Sequence, residues 1–105
     1  MMVPVQRVSK AQAQQWLGTV PGDKVFYCVN GEVYNNLRDL KSALERMQDG
    51  HFVYHVNPEK NDFGNWIRDV IGDQKLAQDI RGCKTRIEAL VVVDGRVGFL
   101  TKRLK

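Results

Sequence analysis

The sequence predicts one α+β domain, built mostly of short helices around a single N-terminal β-hairpin. Three observations predict it. Two capping boxes, Ser9 to Gln12 and Thr85 to Glu88, mark helix starts near the two ends of the chain. Leu37, Leu40, Leu44 and Met47 recur at intervals of three and four residues, the period of a helix packed on one face. A β-branched and aromatic run, Val25 to Val29, is followed by Asn30-Gly31 and then Glu32-Val33-Tyr34, which reads as strand, tight turn, strand. A chain of 105 residues fits a single domain over 1–105, large enough to bury a core without disulfides or metals.

Taken in order, residues 1–8 are expected to be flexible. Ser9 caps a helix over 10–17, with Ala13, Trp16 and Leu17 on one face and Gly18 as its stop. Val20-Pro21-Gly22-Asp23 is a turn, and the hairpin follows with Asn30-Gly31 as its two-residue connection. Asn35 or Asn36 caps the next helix, and Asp49-Gly50 breaks it. Residues 51–56 suit a strand or a helical turn equally, because the run is too short for periodicity to decide. Asn57-Pro58-Glu59-Lys60 is a loop. Asn61 or Asp62 then caps a helix carrying Phe63, Trp66, Ile67, Val70 and Ile71, ended by Gly72. Asp73 caps another, with Leu76, Ala77 and Ile80, ended by Gly82. In the tail, Ile87, Leu90, Val91, Val97, Leu100 and Leu104 fit a helical stripe. Residues 90–100 read equally well as a second hairpin turning at Asp94-Gly95, and Gly95 and Gly98 each cost a helix about 1 kcal/mol relative to Ala.

Charge narrows the function classes. The net charge is +4, and its excess lies at the ends: residues 82–105 carry six basic and two acidic groups, residues 1–25 three and one, and residues 26–81 seven and nine. A basic C-terminal segment, 84–105, suits phosphate neutralisation. It also suits a helix end whose Lys and Arg complement the dipole. No apolar run approaches the roughly 20 residues of a membrane span, and MMVPVQRVSK lacks the apolar core of a secretory signal, so a cytoplasmic location is expected. Cys28 and Cys83 are then expected as free thiols.

The segments Asn36-Leu37-Arg38-Asp39-Leu40, Phe52-Val53-Tyr54-His55-Val56-Asn57, Asn61-Asp62-Phe63-Gly64-Asn65-Trp66-Ile67 and Asp73-Gln74-Lys75-Leu76-Ala77 follow the pattern NLxEL, FxYHVN, NDFxxWI, DxxLA. In this the chain resembles a family of small archaeal proteins known as a domain of unknown function. The likeness covers about half of the chain. It implies an archaeal, cytoplasmic source and no particular activity. It also implies helical structure for the FxYH segment and favours a helical tail, whose Arg96-Val97-Gly98-Phe99-Leu100 is similar to the family's ending. Val91-Val92-Val93-Asp94-Gly95 departs from the family pattern and keeps the hairpin open.

Three groups of residues bear on chemistry. Cys28, His51, His55 and Cys83 contain a zinc-compatible donor set, but the cysteines are not paired as CxxC, so neither metal nor cofactor is expected. His55 with Asp62, and Tyr54 nearby, could make a His–carboxylate acid–base pair. The sequence places no nucleophile beside them. The stronger expectation is a structural network of His55, Asn57, Asn61, Asp62 and Trp66, which pins the 57–60 loop to the following helix. A base-stacking platform would need exposed aromatics, for which Tyr27 and Tyr34 qualify if they face outward.

The third group is the basic residues Arg7, Lys10, Lys84, Arg86, Arg96, Lys102, Arg103 and Lys105, which with Lys24 form one surface if the termini meet. The expected function is therefore non-enzymatic binding of nucleic acid, or of a ribonucleoprotein such as the ribosome, through basic termini. The alternative is a protein–protein adaptor or homo-oligomer using the apolar 87–104 segment.

Overall fold

The computed structural model describes residues 7–105, whose regular structure is six α-helices, one extended by a π-helical turn, a short 3₁₀ turn at Gly22–Lys24 and two short antiparallel hairpins. The expected flexible start covers residues 1–8; 1–6 lie outside the described residues, and Val8 is already part of the core. Helix α1, Lys10–Leu17, begins at the predicted capping box: the Ser9 hydroxyl accepts from the Gln12 N–H, and the Gln12 side chain accepts from Ser9 N–H.

Strands β1, Phe26–Tyr27, and β2, Val33–Tyr34, pair Phe26 with Tyr34 and Tyr27 with Val33. Their connection is not the expected two-residue turn. The Gly31 N–H bonds the Cys28 carbonyl at 2.9 Å, Gly31 alone has positive φ, and Cys28 N–H bonds Glu32 O. This is a type I turn closed by a glycine bulge. Asn30 stays at negative φ because its side chain bonds the Glu32 N–H two residues on, at 2.9 Å.

Helix α2, Leu37–Arg46, is capped by Asn36. Asp49-Gly50 does not simply break it. Those two residues open α3, Asp49–His55, so the undecided 51–56 segment is mainly helix. The expected loop at 57–60 is the tip of a second hairpin, β3 (Val56–Asn57) with β4 (Lys60–Asn61), turning at Pro58-Glu59. Proline's fixed φ pre-sets that turn. Helix α4, Asp62–Trp66, starts at the Asn61 cap and widens into a π turn over Ile67–Ile71, where the Gly72 N–H reaches Ile67 O at 2.7 Å. Gly72, at φ +90°, ends it. Helix α5, Gln74–Arg81, is capped by Asp73.

The tail is one helix, α6, Arg86–Lys102, opened by the Thr85–Glu88 capping box. The second-hairpin alternative fails because α6 buries Ala89, Val93, Val97 and Leu100 against the rest of the molecule. A hairpin would split that set between two faces. The cost of Gly95 and Gly98 is outweighed, since each fully buried Val or Leu contributes about 1.5–3 kcal/mol. The stripe differs from the expected one: Ile87 and Val91 point outward.

Helix α6 runs antiparallel to α2. Arg38 near the start of α2 bonds Thr101, Lys41 pairs with Asp94, and the Leu44 carbonyl near the end of α2 receives Arg86. Between the helices and the first hairpin sits an aromatic cluster in which Phe26 lies 5.0 Å from Phe63 and 5.8 Å from Trp66, ring to ring.

Candidate nucleic-acid interface

Every member of the predicted polar network is occupied within the fold. His55 is 4% exposed. Its Nε2 lies 3.0 Å from the Val29 N–H and its Nδ1 2.9 Å from Asp62 Oδ2. An amide N–H can only donate, so Nε2 is the acceptor and the proton sits on Nδ1, directed at the carboxylate. The imidazole thus ties the first hairpin to α4, not only the 57–60 segment as expected. Both ring nitrogens are committed, which leaves neither free for proton transfer in the present geometry.

Asp62 also takes Lys60 Nζ at 2.9 Å. Burial alone would push the Asp62 pKa up, but the hydrogen bonds from Lys60 and His55 reverse that and hold it below the ordinary carboxylate value. Trp66 Nε1 donates to Lys24 O at 2.8 Å. Asn57 donates to Val53 O at the end of α3 and accepts from Glu59 N–H, closing the hairpin tip. Asn61 accepts from Gly64 N–H at 2.8 Å and donates to Ile80 O at 3.3 Å, linking α4 to the end of α5.

The basic residues divide into two kinds. Arg96 is clamped: its guanidinium makes a two-point pair with Asp73, 2.7 and 2.9 Å, and its flat faces lie by Trp16 and Phe99. Asp73 is wholly buried. Arg86 binds Asp49 at 3.0 Å and the Leu44 carbonyl at 2.7 Å, satisfying an otherwise orphaned C-terminal carbonyl of α2. These two arginines, expected at a contact surface, are structural fasteners.

Arg7, Lys10, Lys84, Lys102, Arg103 and Lys105 are exposed. Arg103 lies over the Phe99 ring. The predicted single surface is divided, because Lys84 precedes α6 and Lys102, Arg103 and Lys105 end it. A helix of 17 residues separates them, about 25 Å at 1.5 Å per residue.

At the Lys84 end the structure has a cleft of about 880 Å³ that the sequence did not reveal. The tip of the second hairpin, the exposed side of α4 and the α5–α6 junction enclose it. Lys60, Arg68, Arg81 and Lys84 line it with one carboxylate, Glu59; Val53, Val56 and Pro58 supply an apolar wall, and Asn57, Asn61 and Asn65 supply amides. Two of the cations have local counter-charges: Lys60 pairs with Asp62, and Arg68 with its neighbour Asp69 at 2.7 Å. Arg81 bonds the neutral amide of Asn65 at 3.3 Å, and its stem crosses α4 at Gly64, where an added Cβ would sit 3.4 Å from Arg81 Cγ. Lys84 uses its backbone N–H on Glu88, and among the described residues its ammonium has no ion-pair partner. Cys83 also lines the cleft, and burial pushes its thiol pKa up.

Of the hairpin aromatics, Tyr34 is buried and only Tyr27 faces out. Tyr54 is the outward aromatic missed in the sequence, half exposed, with Lys60 Nζ 4.6 Å from its ring centre. Helical periodicity was the signal: with Phe52 and His55 turned inward, Val53 and Tyr54 must face out.

The four metal-type donors do not converge. His51 lies by Glu32 and Arg46 in a separate shallow depression, while His55 is enclosed between Val29 and Asp62. Among the described residues, no helix is long and apolar enough to cross a membrane. No protein-family model, curated protein or solved structure matches the chain.

Proposed function

We propose that this is a non-enzymatic nucleic-acid-binding protein whose principal contact is the cleft beside the second hairpin. Lys102, Arg103 and Lys105, with Arg7 and Lys10, are outlying phosphate contacts. The observation that carries the reading is the excess of cation over carboxylate in a concave wall: Lys60, Arg68, Arg81 and Lys84 line it against Glu59, and with Lys60 and Arg68 paired to Asp62 and Asp69, Arg81 and Lys84 are the two without an ion pair among the described residues. A phosphodiester chain matches it, offering repeated negative charge and oxygen acceptors to guanidinium and amide donors. The closed hydrogen-bonding of His55 and the raised pKa of Cys83 support binding over catalysis. The resemblance to small archaeal proteins supports a cytoplasmic setting, in which a ribonucleoprotein such as the ribosome is a fitting target.

The test is fluorescence anisotropy of a labelled oligonucleotide against salt. Four phosphate contacts on a single strand predict a log–log slope of about −3, roughly a fifty-fold loss between about 50 and about 200 mM salt. Salt-indifferent binding, or none, would remove the proposal.

A second reading has one specific observation behind it. Ile87 and Val91, one helical turn apart on α6, are 54% and 65% exposed. They would serve an adaptor or homo-oligomer. Light scattering of Val91→Asp against the unaltered protein tests it. Leu100, fully buried, belongs to the core and not to such a surface.

A further inference from the structure

We infer that the outward face of the first hairpin is an interface with a second copy of this chain, with Tyr27 and Val33 at its centre. The inference stands apart from the nucleic-acid reading, and its surface is not the exposed side of α6.

A hairpin that lies on a core with its other face in water alternates apolar and polar residues. This one does not. Phe26 and Tyr34 pair across the strands and are buried, while the next pair, Tyr27 and Val33, is 69% and 43% exposed. Val29, two residues beyond Tyr27, is 45% exposed. Both faces are apolar, which is the pattern of a sheet covered on both sides. The apolar area continues past the tip. The Val29 N–H reaches the buried His55 ring at 3.0 Å, and Tyr54 stands edge-on to the same ring, 5.0 Å between centres. Lys60 covers one face of Tyr54, and Val53 precedes it where the cleft begins. Among the described residues, five of the seven exposed large apolar side chains lie in this one area; the other two, Ile87 and Val91, are on α6. Apolar residues exposed singly are ordinary, whereas a connected group of them marks a contact surface.

Size fits a protein partner. From their fractional exposures, Tyr27, Val29, Val33, Val53 and Tyr54 present on the order of 500 Å². A standard interface covers about 800 Å² of each partner, a little over half of it apolar. Charge then names the partner. The chain carries a net +4, so two copies repel unless they meet away from the unpaired cations. Beside this face the charges are closed in pairs, Glu32 with Arg46 and Lys60 with Asp62, and Asp23 and Lys24, just before β1, carry opposite signs. A neutral rim allows two copies to meet without like-charge repulsion, and it offers little to a phosphate chain or to a strongly charged partner. A two-fold axis near the Tyr27–Val33 pair sets the patch against itself, as an isologous dimer requires.

The experiment measures the mass of the full chain in solution by sedimentation equilibrium over a range of concentrations, beside Tyr27→Lys/Val33→Lys and Val91→Asp. Both residues of the double variant are exposed, and circular dichroism checks that it is folded. The unaltered chain should approach twice its monomer mass as concentration rises. The double variant should associate roughly a hundredfold more weakly, and Val91→Asp should associate like the unaltered chain. Independently of any variant, amide exchange in the unaltered chain should slow with concentration at residues 27–33 and 53–54. A chain that stays monomeric throughout would overturn the inference, leaving this face to a different protein. A dimer that survives the double variant, or that Val91→Asp breaks instead, would overturn it as well.

Discussion

Arg96 and Arg81 are both helical arginines bonded to side-chain oxygens, and they do opposite things. Arg96 meets a buried carboxylate through two hydrogen bonds and lies against two aromatic rings. Arg81 is exposed on the wall of a cleft and meets one neutral amide at 3.3 Å. The first arginine has its charge neutralised by the chain, so it fastens α6 to the start of α5. The second makes no ion pair among the described residues, although its charge helps to lower the pKa of nearby Asp69. Lys84 stands with Arg81, and Arg86, only two residues further on, stands with Arg96. Position in the chain therefore does not sort contact residues from fasteners. The internal partner does.

The largest expected effect is at the seam. Arg96→Ala leaves Asp73 buried without its counter-charge and should cost about 3–5 kcal/mol in urea unfolding. A loss under about 1 kcal/mol would mean that Asp73 finds water or another donor, and the two arginines would then not differ in kind.

Next comes the His55 bridge. His55→Ala removes the acceptor for Val29 N–H, one partner of Asp62, and a ring packed on Phe26 and Phe63. The expected loss is about 3 kcal/mol by thermal or urea melts. The same bridge sets an acid limit. The folded pKa of Asp62 lies below its ordinary value of 3.8, so the stabilisation from its ionised form is complete above that value and disappears as pH falls through the folded pKa. Asp62→Asn should flatten this part of the melting-temperature profile at low pH; an unchanged profile would mean that other carboxylates dominate acid unfolding.

The smallest effect has the opposite sign. Nothing lies within 4 Å of a Cβ added at Gly95 or Gly98, and both are within α6. Gly95→Ala should stabilise the protein by about 0.5–1 kcal/mol without changing oligonucleotide affinity. A destabilised variant would mean that the outer side of α6 is covered in solution, favouring the adaptor reading.

Helix starts and stops were largely present in the sequence because capping is a local code. Ser9, Asn36, Asp73, Thr85 and Gly72 each announce an end within three or four residues. What escaped was non-local or very short. Asp73 and Arg96 are 23 positions apart, and no spacing rule joins them. The second hairpin has two residues per strand, too few for alternation to register. The turn at Asn30-Gly31 was located but mistyped, because the dipeptide also suits a glycine bulge. The cleft was invisible for the same non-local reason: Lys60, Arg68 and Arg81 lie in the chain's slightly acidic middle and converge with Lys84 only through the fold. Counting charge by segment pointed to the ends and passed over three of the four cations that meet.

The most direct test measures affinity and stability together on Arg81→Ala/Lys84→Ala. The predicted result is single-strand binding weakened about tenfold or more, a salt slope reduced by about 1.4, and an unfolding midpoint within about 0.5 kcal/mol of the starting protein. Unchanged affinity in a fully folded variant would contradict the central claim, which is that Arg81 and Lys84, the cleft cations without an ion-pair partner among the described residues, carry the larger part of the binding.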